Sequence, residues 1–219
     1  MTQAVRTVQI AEPDTSEELI KILDDTDPNG KPIARPLLHH VQLKTNQLDA
    51  MVEWYKVVTG CQISYGDERA VWVTNDLASH RLAFVAGDFM DADPDAVRRP
   101  GLHHVGFEYA TLDELLETWE RLAALDILPH RTVNHGPSTS FYYVDPDGNS
   151  VELQVDNHHD WRESRKVFYT DRFQIDPFGP GVDPAKLLEA RRAGVSADEV
   201  HRRSYEGEWP NTLPNEVRR

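Results

Sequence analysis

The feature that most narrows what this chain can fold into is an internal repeat. The segment LLHHVQL from Leu37 returns as GLHHVGF from Gly101, and His40 and His104 within them lie 104 − 40 = 64 positions apart. An amphipathic helix pattern follows each segment. Leu48, Met51, Val52 and Tyr55 keep the i, i+3, i+4, i+7 spacing of one helix face, and Leu112, Leu115, Leu116 and Trp119 repeat it at the same offset. Short β-rich runs come next: CQISY, AVWVT and HRLAFV in the first half, ILPHRTV, TSFYYV and SVELQV in the second. The last two are divided by Asp145-Pro146-Asp147-Gly148-Asn149, a turn signal, since Gly supplies a positive φ and Pro presets the turn's second position. A fixed period marks a repeated structural unit. Each half reads β-α-β-β-β, so the expected fold is α+β, with two tandem βαβββ modules forming a curved mixed sheet around a shared cavity.

The repeat sets the domain boundaries. The bimodule covers 36–156, with modules at 36–90 and 100–156. Residues 1–35 form an N-terminal extension with a short strand and a helix over 16–23, opened by a Thr15-x-x-Glu18 capping box. Residues 157–219 form a polar C-terminal extension with short helices near 184–193 and 197–203, expected to serve as a cover or oligomer arm. The acidic insert GDFMDADPDAVRRPG, over 87–101, reads as a loop at the cavity lip or a subunit contact.

Charge and cysteine usage exclude several classes. A net charge of −14 repels nucleic acid and does nothing to recruit an anionic membrane. The segment MTQAVRTVQIAEPD has no apolar run of signal-peptide length, and no stretch approaches the roughly 18 apolar residues of a membrane span. Cys61 is the single cysteine, so an internal disulfide is impossible, and it reads as a small buried hydrophobe. The expected location is cytoplasmic.

Strand alternation then sorts the histidines. Successive side chains of a strand point to opposite faces. Val41 and Leu43 share a face with His39, which leaves His40 on the open side. Val105, Phe107 and Tyr109 pack with His103, which leaves His104, Gly106 and Glu108 facing the cavity. Val151, Leu153 and Val155 are the apolar set of the last strand, which puts Glu152 and Gln154 opposite. Two imidazoles and a carboxylate on inward faces suit a 2-His-1-carboxylate triad, whose vacant positions favour Fe(II). The expected metal ligands are His40, His104 and Glu152, which makes the cavity a metal-containing one.

The segments LHHVGF and TSFYYVDPDGNSVELQ resemble the vicinal oxygen chelate superfamily of glyoxalase I, bleomycin-resistance proteins and type I extradiol dioxygenases. The resemblance covers roughly 36–156. It implies an Fe(II) enzyme (Mn(II) or Zn(II) as alternatives) that opens a small aromatic diol with O₂, and, as small one-bimodule members tend to associate, a homo-oligomer. Glyoxalase-like members usually supply four ligands. By repeat logic the fourth would fall near Leu82, which cannot bind metal, so three remain, as in the extradiol enzymes; Asp88 is a weaker contender. The resemblance maps the family's proton-handling histidine onto His80, on a face shared with Leu82, its active-site tyrosine onto Tyr142, and its second-sphere histidine onto His135. His158, His159, His130 and His201 read as surface, Trp54, Trp72 and Trp119 as core or helix packing, and Asp145, Asp147 and Asn149 as a turn rather than a calcium loop. The alternative readings are a glyoxalase-type isomerase, epimerase or lyase using Zn²⁺, Ni²⁺ or Co²⁺, and a bleomycin-resistance-type binding protein without metal ligands.

Overall fold

A computed structural model describes residues 28–34, 36–87 and 100–211. The N-terminal helix expected over 16–23, Asp88 and nearly all of the 87–101 insert lie outside the described residues. The chain divides into two compact units, Met1–Leu37 and Leu38–Arg219, and every helix and strand named here belongs to the second.

Both expected modules are present. The first runs β1 (Val41–Thr45), α1 (Leu48–Thr59), β2 (Gln62–Gly66), β3 (Ala70–Thr74) and β4 (Leu82–Ala86). The second runs β5 (His104–Tyr109), α2 (Leu112–Ala123), β6 (Arg131–Asn134), β7 (Ser138–Val144) and β8 (Ser150–Asp156). Each builds a four-stranded mixed sheet of the same order, β1-β4-β3-β2 and β5-β8-β7-β6. The first strand of each module pairs parallel with the last, and the other pairs are antiparallel.

The two helices start differently. Thr111 and Glu114 form a capping box on α2, satisfying two backbone donors that a helix start otherwise leaves open. At α1 the N-cap residue Gln47 makes no side-chain cap. Its amide instead reaches the second module's turn, donating to Pro146 O at 2.8 Å and Asp147 Oδ1 at 2.7 Å. That turn is organised by buried Asp145, which accepts from the backbone N–H groups of Asp147 and Asn149 and from the Tyr55 hydroxyl of α1 at 3.2 Å. The acidic run is thus a turn brace, as the sequence suggested, and also an inter-module tie, which the sequence did not suggest.

The two cores interlock. Met51, Val52, Tyr55, Val73, Leu82 and Phe84 of the first module pack with Val151 of β8, while Val58 of α1 joins Leu112, Leu115, Leu116, Phe141, Tyr143 and Leu153 of the second. Trp54 and Trp119 pack against these cores, and Cys61 is buried, with burial pushing its thiol up. Neither thiol position nor acidity suits a nucleophile.

The C-terminal region, expected as a cover or oligomer arm, packs onto the second module. It forms α3 (Trp161–Val167), α4 (Asp171–Ile175), α5 (Pro184–Arg192) and α6 (Ala197–Tyr205). Val182, Leu187, Leu188 and Val200 are buried in the second module's core. Each fully buried side chain of this size contributes about 1.5–3 kcal/mol, so the region is structurally part of that module. Arg191 grips Asp113 of α2 with two bonds of 2.7 Å, and Arg192 grips Glu120. His201, expected at the surface, is a buried residue of α6, and His130 is half-buried; His158 and His159 are exposed as expected. No helix among the described residues is long and apolar enough to cross a membrane.

Candidate metal centre

The alternation argument for β8 matches the structure. Val151, Leu153 and Val155 lie in the cores, and Glu152 projects to the opposite face, yet it is itself buried. Its cross-strand neighbours are Gly106 on β5 and Tyr142 on β7. A Cβ at position 106 would stand 3.2 Å from Glu152 Oε2, so glycine leaves room for the carboxylate.

Four residues from three adjacent strands and the β6–β7 loop form one hydrogen-bonded chain. His104 Nε2 lies 3.0 Å from Glu152 Oε2. Tyr142 Oη donates to Glu152 Oε1 at 2.7 Å, and His135 Nε2 lies 2.9 Å from Tyr142 Oη. Arg131, the cross-strand partner of Tyr142, holds its guanidinium 5.5 Å from the centre of that ring and 5.8 Å from the ring of Phe178.

The chain sets the protonation of its members. Burial, the largest single influence on Glu152, would raise its carboxyl; hydrogen bonds from His104, Tyr142 and Ser140, with the field of His104, outweigh it and hold the group at about 2. Burial and then the Glu152 charge push the Tyr142 phenol above its ordinary range. Burial holds His135 below the usual imidazole range, Glu152 opposing and Arg131 adding to the effect. At neutral pH the site therefore offers a carboxylate, a protonated phenol and a neutral imidazole.

The first module contributes an imidazole group. Among the described residues, ligand atoms of His39, His40 and His80 come within 4.8 Å of one another. The His80 ring centre is 4.5 Å from His40 and 5.0 Å from His39. Burial, followed by the fields of His40 and His39, lowers the His80 imidazole. The structure thus joins His104 to Glu152 and joins His40 to His80, while the three expected ligands do not form one group within that distance.

The repeat extends to these side chains. His39 and His40 meet edge to face at 5.3 Å and 85°, with Nδ1 atoms 3.1 Å apart; His103 and His104 do so at 5.0 Å and 85°, with Nδ1 atoms 2.7 Å apart. Each leading histidine is exposed and turned to its neighbour instead of packing under a helix. Alternation misplaced His39 and His103 because β1 begins at Val41 and β5 at His104, so both precede their strands.

The β4 register corrects a second expectation. Gln42 and Gly106 are repeat counterparts, and their partners are Ala83 and Glu152. Ala83, not Leu82, occupies the position equivalent to Glu152; Leu82 pairs with Val41 and is core. A one-residue slip exchanges faces, but alanine is as unable to bind metal as leucine. His80 reaches His40 from a loop before β4, not through a shared strand face. Sequence reasoning missed Arg131 and Ser140, and put Gly106 on the cavity face without giving it a role. The signal for Arg131 was the β6–β7 hairpin register, and for Gly106 a glycine inside a strand.

Imidazoles and a carboxylate are donor types that suit a divalent ion, and they are divided here between the His39–His40–His80 group and the His104–Glu152 pair. Both ring nitrogens of His104 are engaged, Nε2 with Glu152 Oε2 and Nδ1 with His103 Nδ1, so each neighbour orients the ring. His40 has the same Nδ1 engagement, and the ionised Glu152 supplies compensating charge.

The repeated βαβββ modules have vicinal oxygen chelate architecture, and a family model agrees. Residues 37–153 match the Glyoxalase/Bleomycin resistance protein/Dioxygenase superfamily, and the chain belongs to it. Among curated relatives, it is 38% identical over 173 residues to biphenyl-2,3-diol 1,2-dioxygenase 3 of Rhodococcus globerulus, covering 78% of this chain and 90% of that one. It is 33% identical over 182 residues to biphenyl-2,3-diol 1,2-dioxygenase 2 of the same organism, covering 83% and 95%. Among solved structures, lactoylglutathione lyase from Agrobacterium tumefaciens is similar at 25% identity and a TM-score of 0.44, covering 57% of this chain and 96% of that one.

Proposed function

We propose that this chain is an Fe(II)-dependent extradiol ring-cleaving dioxygenase that acts on a catecholic aromatic with O₂, in the cytosol and as a homo-oligomer. The observation that carries the reading is the chain His104–Glu152–Tyr142–His135, with bonds of 3.0, 2.7 and 2.9 Å. The two dioxygenase relatives, similar over most of their length, support it. The catalytic unit is the bimodule at 36–156, and the ligands are His40, His104 and Glu152. Iron held there supplies Lewis acidity and a redox path between an aromatic diol and O₂.

The protein's own groups do the rest. Glu152, held ionised, offsets part of the metal's charge. Tyr142 stays protonated; with the Glu152 carboxylate taken up by the metal, its one hydrogen turns from Glu152 Oε1 to a ring oxygen, which steadies negative charge that develops there. His135, kept neutral, binds the hydroxyl end of the substrate. His80, also lowered below the ordinary imidazole range, moves protons to and from the substrate on the first module's side. Such acid–base help is typically worth about 10²–10⁴ in rate.

An oxygen electrode with the iron-loaded protein and a panel including biphenyl-2,3-diol tests the reading. The expected result is one O₂ consumed per diol. Conversion of a substrate with no O₂ uptake refutes it and favours a glyoxalase-type isomerase. His80→Ala is expected to keep its iron and lose most turnover; full activity rules out the acid–base role.

A further inference from the structure

A cleft of about 560 Å³ opens beside Gly136, the residue after His135, with walls that include Asn157, His159, Val167, His201 and Tyr205. None of these residues takes part in the chemistry proposed above. The hydrogen bonds fix the state of His201. Thr139 Oγ1 donates its one hydrogen to Asn157 Oδ1 at 2.8 Å, so at 3.1 Å it accepts from His201 Nδ1. The imidazole therefore carries its proton on Nδ1 and presents Nε2 as a bare acceptor. Burial, then the field of His159, pushes its pKa down to about 4, and the ring is neutral at pH 7.

That acceptor has nothing to accept. His201 is 4% exposed, and its Nε2 is buried without a hydrogen-bond partner among the described residues. The Tyr205 hydroxyl, on the same cleft, is likewise buried and unpartnered. Gly136 makes space for this phenol: its φ is +97°, and a Cβ there would stand 2.9 Å from Tyr205 Cζ. Native proteins rarely leave two buried polar groups unmatched, and a ligand is one reason to do so. The nearby cations are already engaged. Arg202 is held by Glu199 and Glu206, and Arg172 donates to Tyr205 O and lies 4.2 Å over the Tyr205 ring.

We propose that this cleft is a second small-molecule site, taking a neutral guest with an apolar body and a hydroxyl, such as a phenol. The guest's O–H donates to His201 Nε2, and its oxygen accepts from Tyr205. The site is tied to the His135 loop: Asn157 Nδ2 holds Gly136 O at 2.8 Å and Asn134 Oδ1 at 2.9 Å. The proposal does not depend on the ring-cleavage reading.

Amide NMR on the full chain, loaded with diamagnetic Zn(II), tests it with phenol and with anisole, which has the ring but no hydroxyl hydrogen. The expected result is saturable movement of the Gly136, Asn157 and His201 signals by phenol, at least about tenfold tighter than by anisole. Val167→Trp, which fills the cleft, abolishes the response; Thr170→Trp at its exposed rim does the same if the first variant fails to fold. Equal binding of phenol and anisole overturns the proposal. So does movement confined to His135 and Tyr142, or a His201 Nε2 signal that reports a bound water and ignores phenol.

Discussion

Replacing Tyr142 with phenylalanine tests the second module's hydrogen-bonded chain with little change of shape. The ring stays, with its edge-to-face packing on His104 at 5.4 Å and 78°, and only the hydroxyl is lost. That hydroxyl donates to Glu152 at 2.7 Å and meets His135 at 2.9 Å, so both partners are left short of one bond. A hydrogen bond to a charged group is worth about 1.5–3 kcal/mol, equivalent to moving the Glu152 carboxyl up by about 1–2 pH units. Starting from about 2, the carboxyl remains ionised at pH 7. The variant therefore keeps its iron, with affinity reduced by about 10–100-fold, as for other outer partners of metal ligands. Turnover falls by more, because the donor to the ring oxygen is also gone. Competition of the protein against a metal chelator gives the affinity, and O₂ uptake with a diol gives the rate. Wild-type values for both would refute the claim that Tyr142 links the carboxylate to the substrate.

Leu187→Ala in α5 is expected to cost about 2–5 kcal/mol in urea unfolding, because Leu187 is fully buried in the second module's core; a cost under 0.5 kcal/mol would make the C-terminal region an arm after all. His201 gives an acid-sensitive contribution. Its folded pKa of about 4 lies below the ordinary 6.5, so its contribution is whole above pH 6.5 and is lost as pH falls towards 4. The loss amounts to up to about 3 kcal/mol, and urea unfolding of wild type and His201→Gln at pH 8, 6 and 5 checks it: the variant's stability should fall less with acidification. Equal slopes would show that His201 is not the titrating group.

Much of the architecture was legible because one repeat fixed two modules at once. Leu112, Leu115 and Leu116 had to face a core, and alternation on β8 had to bury Val151, Leu153 and Val155 opposite Glu152. Alternation has meaning only inside a strand, and His39, His40, His80 and His103 all precede theirs. Their mutual arrangement is set by loop geometry that a period-2 argument does not reach. The β4 offset needed the pairing of Gln42 with Ala83, which a gapped repeat comparison could miss by one residue. The C-terminal contribution was hidden for another reason. Leu187 and Leu188 sit in a nine-residue helix dominated by charge, and Val182 and Val200 are single apolar residues far apart, so only tertiary packing reveals that they share a core.

The proposed function requires that the imidazoles of both modules and the buried carboxylate hold one metal ion together. Iron content per chain after anaerobic purification, measured for wild type, His40→Ala, His104→Ala and Glu152→Ala with folding checked by circular dichroism, addresses this directly. About one iron per wild-type chain and almost none in each folded variant is the predicted result. Iron retained at the wild-type level in folded His40→Ala would contradict a centre shared between the modules, and retention in all three variants would remove the metal centre from this site altogether.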